Sequence, residues 1–269
     1  MSATTSSDTI AARFADLRRR ERCALVVYVT AGHPTPNASL DLLRAVARAG
    51  ADVIEVGVPF SDPMADGPVI QESSQTALAH GMTVSRVLEL IRAADLDIPV
   101  VLFSYLNPLL AAGTRVLEHA AAAGADGVLV TDLPVGADPE RERWLGQGPL
   151  AFVRLVAPTT PTARMRDIGS HGSGFVYLIS RTGVTGARDD ISAELPRTID
   201  RLRSATSLPI CVGFGISKSS HLARLAGIAD GAAVGSGFVK QMRSHLQEGP
   251  KRVAEAVEGY ARELLSYGG

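Results

Sequence analysis

An eightfold alternation constrains this chain most. Short β-branched runs are each followed by longer stretches rich in Ala and Leu. Candidate strands are 24–30, 53–57, 100–103, 127–131, 151–155, 175–179, 209–212 and 232–234. Candidate helices between them include 39–49, 71–80, 83–94, 112–123 and 161–171. Strands separated by helices form βαβ units and a parallel sheet. The strand runs are apolar almost throughout, as expected of strands covered on both faces. An open doubly wound sheet shares this alternation. Two features favour closure into a (β/α)8 TIM barrel: the strand count, and the lack of a nucleotide-type glycine fingerprint after the first strand.

The length of 269 residues suits such a barrel, which needs roughly 250. Residues 1–269 are therefore read as a single domain, with the polar stretch 1–7 expected to be disordered. Residues 8–20 place Ile10, Phe14 and Leu17 at helical spacing, which predicts an extra N-terminal helix packed on the barrel. Val253, Val257, Tyr260 and Leu264 repeat similarly and predict a closing helix. A short segment recurs as Ala49-Gly50-Ala51-Asp52, Ala123-Gly124-Ala125-Asp126 and Ala226-Gly227-Ile228-Ala229-Asp230. Each copy ends a helix on glycine and enters a strand through Asp.

Chemistry concentrates after the second strand, Val53-Ile54-Glu55-Val56-Gly57. If Ile54 and Val56 face the helices, alternation turns Glu55 into the barrel. A carboxylate there is costly unless paired or protonated, and burial raises its pKa toward the range of a proton donor and acceptor. The competing reading is a structural ion pair, with Arg154 as the candidate partner. The following loop, Pro59-Phe60-Ser61-Asp62-Pro63-Met64-Ala65-Asp66-Gly67, is too long for a plain connection and adds Asp62 and Asp66. Aspartate before proline or glycine is also ordinary turn chemistry. Glycines follow the last two strands as Gly213-Phe214-Gly215 and Gly235-Ser236-Gly237. There, backbone N–H groups can approach a phosphate. A third glycine-rich loop, 180–186, is placed to act as a lid.

Other chemistries lack their residues. Lys218, Lys240 and Lys251 are the only lysines, and none sits at a strand end to form a Schiff base. The six histidines show no paired metal-ligand spacing, and only His33 sits at a strand end. No metal site is expected. Cys23 and Cys211 read as small core residues. A net charge of −1 gives no reason to expect nucleic acid or a membrane surface as partner. No apolar run reaches the ~18 residues of a membrane span, and the N-terminus lacks the pattern of a secretory signal. A cytoplasmic location is expected.

The run from Glu55 through Asp66-Gly67-Pro68, with Ser180-Arg181-Thr182-Gly183-Val184-Thr185-Gly186 and Gly213-Phe214-Gly215-Ile216, resembles the tryptophan synthase α subunit. The likeness covers about Tyr28 to Lys240. It implies a cofactor-free lyase that cleaves indole-3-glycerol phosphate to indole and glyceraldehyde 3-phosphate. It also implies a β subunit as partner, carrying pyridoxal phosphate, in an α2β2 heterotetramer. By the same resemblance Glu55 is the acid–base residue and Asp66 holds the indole N–H. Gly186, Gly215, Gly235 and Ser236 grip phosphate, and Gly213 belongs to the same substrate site. Tyr28, Phe103, Tyr105, Leu129, Tyr177 and Phe214 line the indole pocket. Thr185 is the lid residue, and Pro59 and Asp62 belong to the partner face. The chain departs from the family pattern at Val135-Gly136 and at His33. A standalone lyase releasing free indole has the same catalytic residues and stays open as an alternative.

Overall fold

A computed structural model describes residues 6–179, 193–213 and 215–268. Helix α1 (Ser6–Arg19) begins within the stretch expected to be disordered and precedes the barrel. The first half follows as β1 (Ala24–Thr30), α2 (Pro36–Arg48), β2 (Val53–Gly57), α3 (Pro68–Ala79), α4 (Val84–Ala94), β3 (Val100–Ser104), α5 (Leu106–Ala111), α6 (Val116–Ala123) and β4 (Gly127–Val130). The second half is α7 (Pro139–Gly146), β5 (Ala151–Val156), α8 (Thr162–Ser170), β6 (Val176–Ile179), α9 (Leu195–Arg203), β7 (Ile210–Gly213), α10 (Ser219–Leu225), β8 (Gly231–Val234), α11 (Ser236–Ser244) and α12 (Pro250–Leu265). The strands close in order into an eight-stranded barrel, and every neighbouring pair is parallel.

Strand alternation divides the core in two. Val26, Val53, Val101, Leu129, Val153, Tyr177, Cys211 and Ala233 supply one inward residue per strand. Their neighbours, among them Val27, Ile54, Leu102, Val128, Phe152, Val176, Val212 and Ala232, face the helices. Ile10, Phe14 and Leu17 of α1 join the inner cluster and seal the end of the barrel where the strands begin. Phe14 meets Phe175 with ring centroids 5.6 Å apart. Val253, Val257, Tyr260 and Leu264 are all buried. One expected helix, 112–123, begins only at Val116: residues 112–115 turn through Gly113, at φ +97°, and separate it from α5, a short helix that was not anticipated.

The recurring Asp segment has a structural reason. The Asp52 N–H donates to the Leu25 carbonyl at 2.9 Å, and its carboxylate accepts from the Leu25 N–H at 2.9 Å. Asp126 does the same to Val100, and Asp230 to Ile210. The Ser173 hydroxyl takes this place for Phe152, at 2.8 Å. The β1/β2, β3/β4, β5/β6 and β7/β8 junctions are thus clamped alike. Each clamp satisfies an N–H at the start of the ladder that would otherwise be orphaned. Asp126→Ala is expected to cost about 1–3 kcal/mol, the penalty of an unsatisfied buried donor. Chemical denaturation checks this; an unchanged midpoint would mean that water replaces the carboxylate.

Candidate active site

Glu55 is 1% exposed and faces into the barrel at the level of Tyr28 and Val101. Its Oε1 accepts no hydrogen bond among the described residues. Burial alone pushes its carboxyl from 4.5 up to about 8, so the group is neutral at neutral pH. Arg154 is not its partner. Val153 and Leu155 take the inward positions of β5, which turns Arg154 outward toward the helices. There it donates to Glu142 at 2.9 Å, to the Leu133 carbonyl at 3.2 Å and to the His171 carbonyl at 3.1 Å. Its guanidinium lies 3.8 Å from the centroid of the Phe152 ring.

Asp66 reaches the same cavity from the loop after β2. Burial raises its carboxyl to about 6, while a hydrogen bond from Tyr105 opposes the rise. That bond is 3.0 Å long, and the same hydroxyl accepts from the Ala65 N–H at 2.9 Å. Gln71, in the first turn of α3, donates to the Asp66 carbonyl at 2.9 Å. The loop is therefore tied at the carboxylate and on its backbone. Tyr105→Phe removes the bond that favours the charged form. The Asp66 carboxyl should then titrate above about 6, moving the acidic limb of the pH–rate profile upward. An unmoved limb would remove Tyr105 from this role.

The walls between the carboxyl groups are aromatic and apolar. Tyr28, Phe103, Tyr177, Ile70 and Ala233 line the cavity, and Tyr28 meets the edge of Phe103 at 5.1 Å. Two strand-end glycines are required by close approach. A Cβ on Gly57 would overlap the Tyr28 hydroxyl, and one on Gly213 would overlap that of Tyr177. Gly215, Gly235 and Ser236 line the far end, where α11 starts. The first N–H groups of a helix have no intrahelical acceptor, so this end favours an anion.

The family model described as "Tryptophan synthase alpha chain" matches residues 14–266. The chain belongs to the tryptophan synthase alpha chain family. The alpha chain of Desulfatibacillum aliphaticivorans is 45% identical over 238 residues, covering 87% of this chain and 89% of that one. The alpha chain of Methanosarcina mazei is 45% identical over 260 residues, covering 96% and 93%. The crystal structure of tryptophan synthase subunit alpha from Legionella pneumophila superposes with a TM-score of 0.86 at 31% identity, covering 97% of each chain.

Within this lyase family fold, most of the expected site residues converge. Glu55, Asp66, Tyr28, Phe103, Tyr177, Gly215, Gly235 and Ser236 share one cavity. Tyr105 acts one step back, through Asp66. Leu129 is fully buried in the inner core rather than on the cavity wall. Gly213 ends β7 against Tyr177. Thr185, Gly186 and Phe214 lie outside the described residues. Pro59 is buried, whereas Asp62 and Met64 are exposed. Gly67, Ile70, Ile216 and Val234 also line the cavity and were not anticipated.

The two departures are built into the fold. His33 is buried, and burial lowers its imidazole to about 4, which leaves it neutral. The Gly136 N–H donates to Glu142 at 2.6 Å, so the Val135-Gly136 turn wraps the Glu142–Arg154 pair. Among the described residues, no helix is long and apolar enough to cross a membrane.

Proposed function

We propose that this chain cleaves indole-3-glycerol phosphate to indole and glyceraldehyde 3-phosphate, with Glu55 and Asp66 as its catalytic residues. One observation carries the reading: a carboxyl held neutral and a second one with a lower pKa face one aromatic cavity that ends at a helix N-terminus. The phosphate binds at Gly215, Gly235 and Ser236. The indole lies among Tyr28, Phe103 and Tyr177, with its N–H donating to the Asp66 carboxylate. Neutral Glu55 protonates indole C3, and Asp66 stabilises the positive charge that reaches the ring nitrogen. Glu55, now a carboxylate, takes the proton of the glycerol hydroxyl next to the ring. The C–C bond breaks, its electron pair returns to the ring, and the aldehyde leaves. Glu55 ends with its proton restored. The division of labour follows from two carboxyl groups in different environments.

The rate should fall below about 6 as Asp66 is protonated, and above about 8 as Glu55 ionises. A flat profile across this range would contradict the assignment. The exposed segment carrying Asp62 and Met64 is the proposed face for a β subunit in a cytoplasmic α2β2 complex. Pyridoxal phosphate belongs to that partner. The test is indole release from indole-3-glycerol phosphate by the purified chain, with and without a β subunit. Release that the partner stimulates supports the reading. Full activity without any binding would favour the standalone lyase, and no indole under either condition would overturn the reaction.

A further inference from the structure

We infer that Tyr260, on the closing helix, is a positioning residue for phosphate binding: its hydroxyl sets the spacing between the loop after β7 and the first turn of α11. The inference rests on the phosphate site proposed above. Among the described residues that site has two walls, Gly215 on the loop and Gly235-Ser236 at the start of α11. Neither of these described walls supplies a charged side chain, so their grip depends on where backbone N–H groups point.

Ser217 ends the loop wall, and side chains hold both of its backbone polar groups. The Tyr260 hydroxyl donates to the Ser217 carbonyl at 2.8 Å. The Ser217 N–H donates to His221 Nδ1 at 3.2 Å, an acceptor role that puts the imidazole proton on Nε2. The same Tyr260 touches the other wall. Its ring stands edge-on to Phe238 of α11, with centroids 4.9 Å apart. A Cβ on Gly237, the second residue of α11, would overlap the Tyr260 hydroxyl and lie 3.1 Å from its Cζ. Gly237 thus leaves room for one hydroxyl that spans both walls. Tyr260 does not line the cavity, so it acts through the backbone. Burial pushes its phenol up to about 12, which keeps it a donor wherever the enzyme works.

Tyr260→Phe keeps the ring and deletes the bond. KM for the phosphorylated substrate and Kd for inorganic phosphate should each rise about tenfold, the order expected when a buried carbonyl loses its donor. The kcat should change by less than about twofold, because Glu55 and Asp66 sit on β2 and its loop. Gly237→Ala displaces the hydroxyl from the other side and should weaken phosphate binding similarly. Adding Tyr260→Phe to it should cost little more, since both act on one contact. His221→Asn keeps an acceptor for Ser217 and should bind phosphate more tightly than His221→Leu. Unchanged KM and phosphate Kd in Tyr260→Phe, or full additivity with Gly237→Ala, would reduce Tyr260 to a packing residue. A wild-type chain that binds phosphate but releases no indole would sink the proposed reaction and leave this inference standing.

Discussion

Glu55→Gln is expected to lower kcat by about 10²–10⁴-fold, the usual contribution of a positioned acid–base group, while phosphate binding stays intact. Glutamine has nearly the same shape but no acidic proton to give C3. The fold should tolerate it, because Glu55 Oε1 has no described partner to lose. Stability should change in a specific way. The folded carboxyl titrates near 8 against 4.5 when unfolded, so the folded state binds the extra proton between those values. Stability therefore falls as pH rises from 4.5 to about 8. Glu55→Gln removes that slope, and its melting temperature should match or exceed wild type above neutral pH. Normal turnover in this variant would remove Glu55 from the mechanism. A drop in stability that persists at every pH would reveal a structural ion pair after all.

Asp66→Asn should lower kcat by about 10²–10³-fold, the order seen when one preorganised electrostatic partner of the transition state is lost. The residual rate should also lose its acidic limb, because the group that titrates near 6 is gone. Asparagine can still accept from Tyr105 and shape the turn. The loss therefore isolates the charge rather than the loop. A near-wild-type rate would mean that Asp66 only anchors the turn, with Tyr105 and Gln71 as its partners.

The residues that were legible in advance are those whose position follows from a period. Alternation along β2 turned Glu55 inward, and helical spacing put Ile10, Phe14 and Leu17 on one face of α1. Arg154 was a candidate partner for Glu55 only because it lies in the middle of a predicted strand, without regard to which face it takes. Its phase on β5 is set by Val153 and Leu155, both inward, and Arg154 answers to Glu142 on α7 instead. That contact spans only 12 residues, but no local pattern encodes it. The Asp segment was visible as a repetition, though its meaning was not. Only the strand register shows that Asp52, Asp126 and Asp230 each close the ladder onto a preceding strand. The Tyr105–Asp66 bond joins loops on β2 and β3, and the Tyr260 bond joins α12 to the β7 loop. Such long-range contacts depend on how the units pack around the barrel, which composition and spacing leave open.

In the proposed mechanism Glu55 is a neutral acid at the pH where Asp66 is charged. Difference infrared spectroscopy of wild type against Glu55→Gln reads it directly. At neutral pH wild type should show a protonated-carboxyl band that the variant lacks, and the band should disappear as pH passes about 8. No such band at neutral pH would show Glu55 already ionised, and the acid step assigned to it would be wrong.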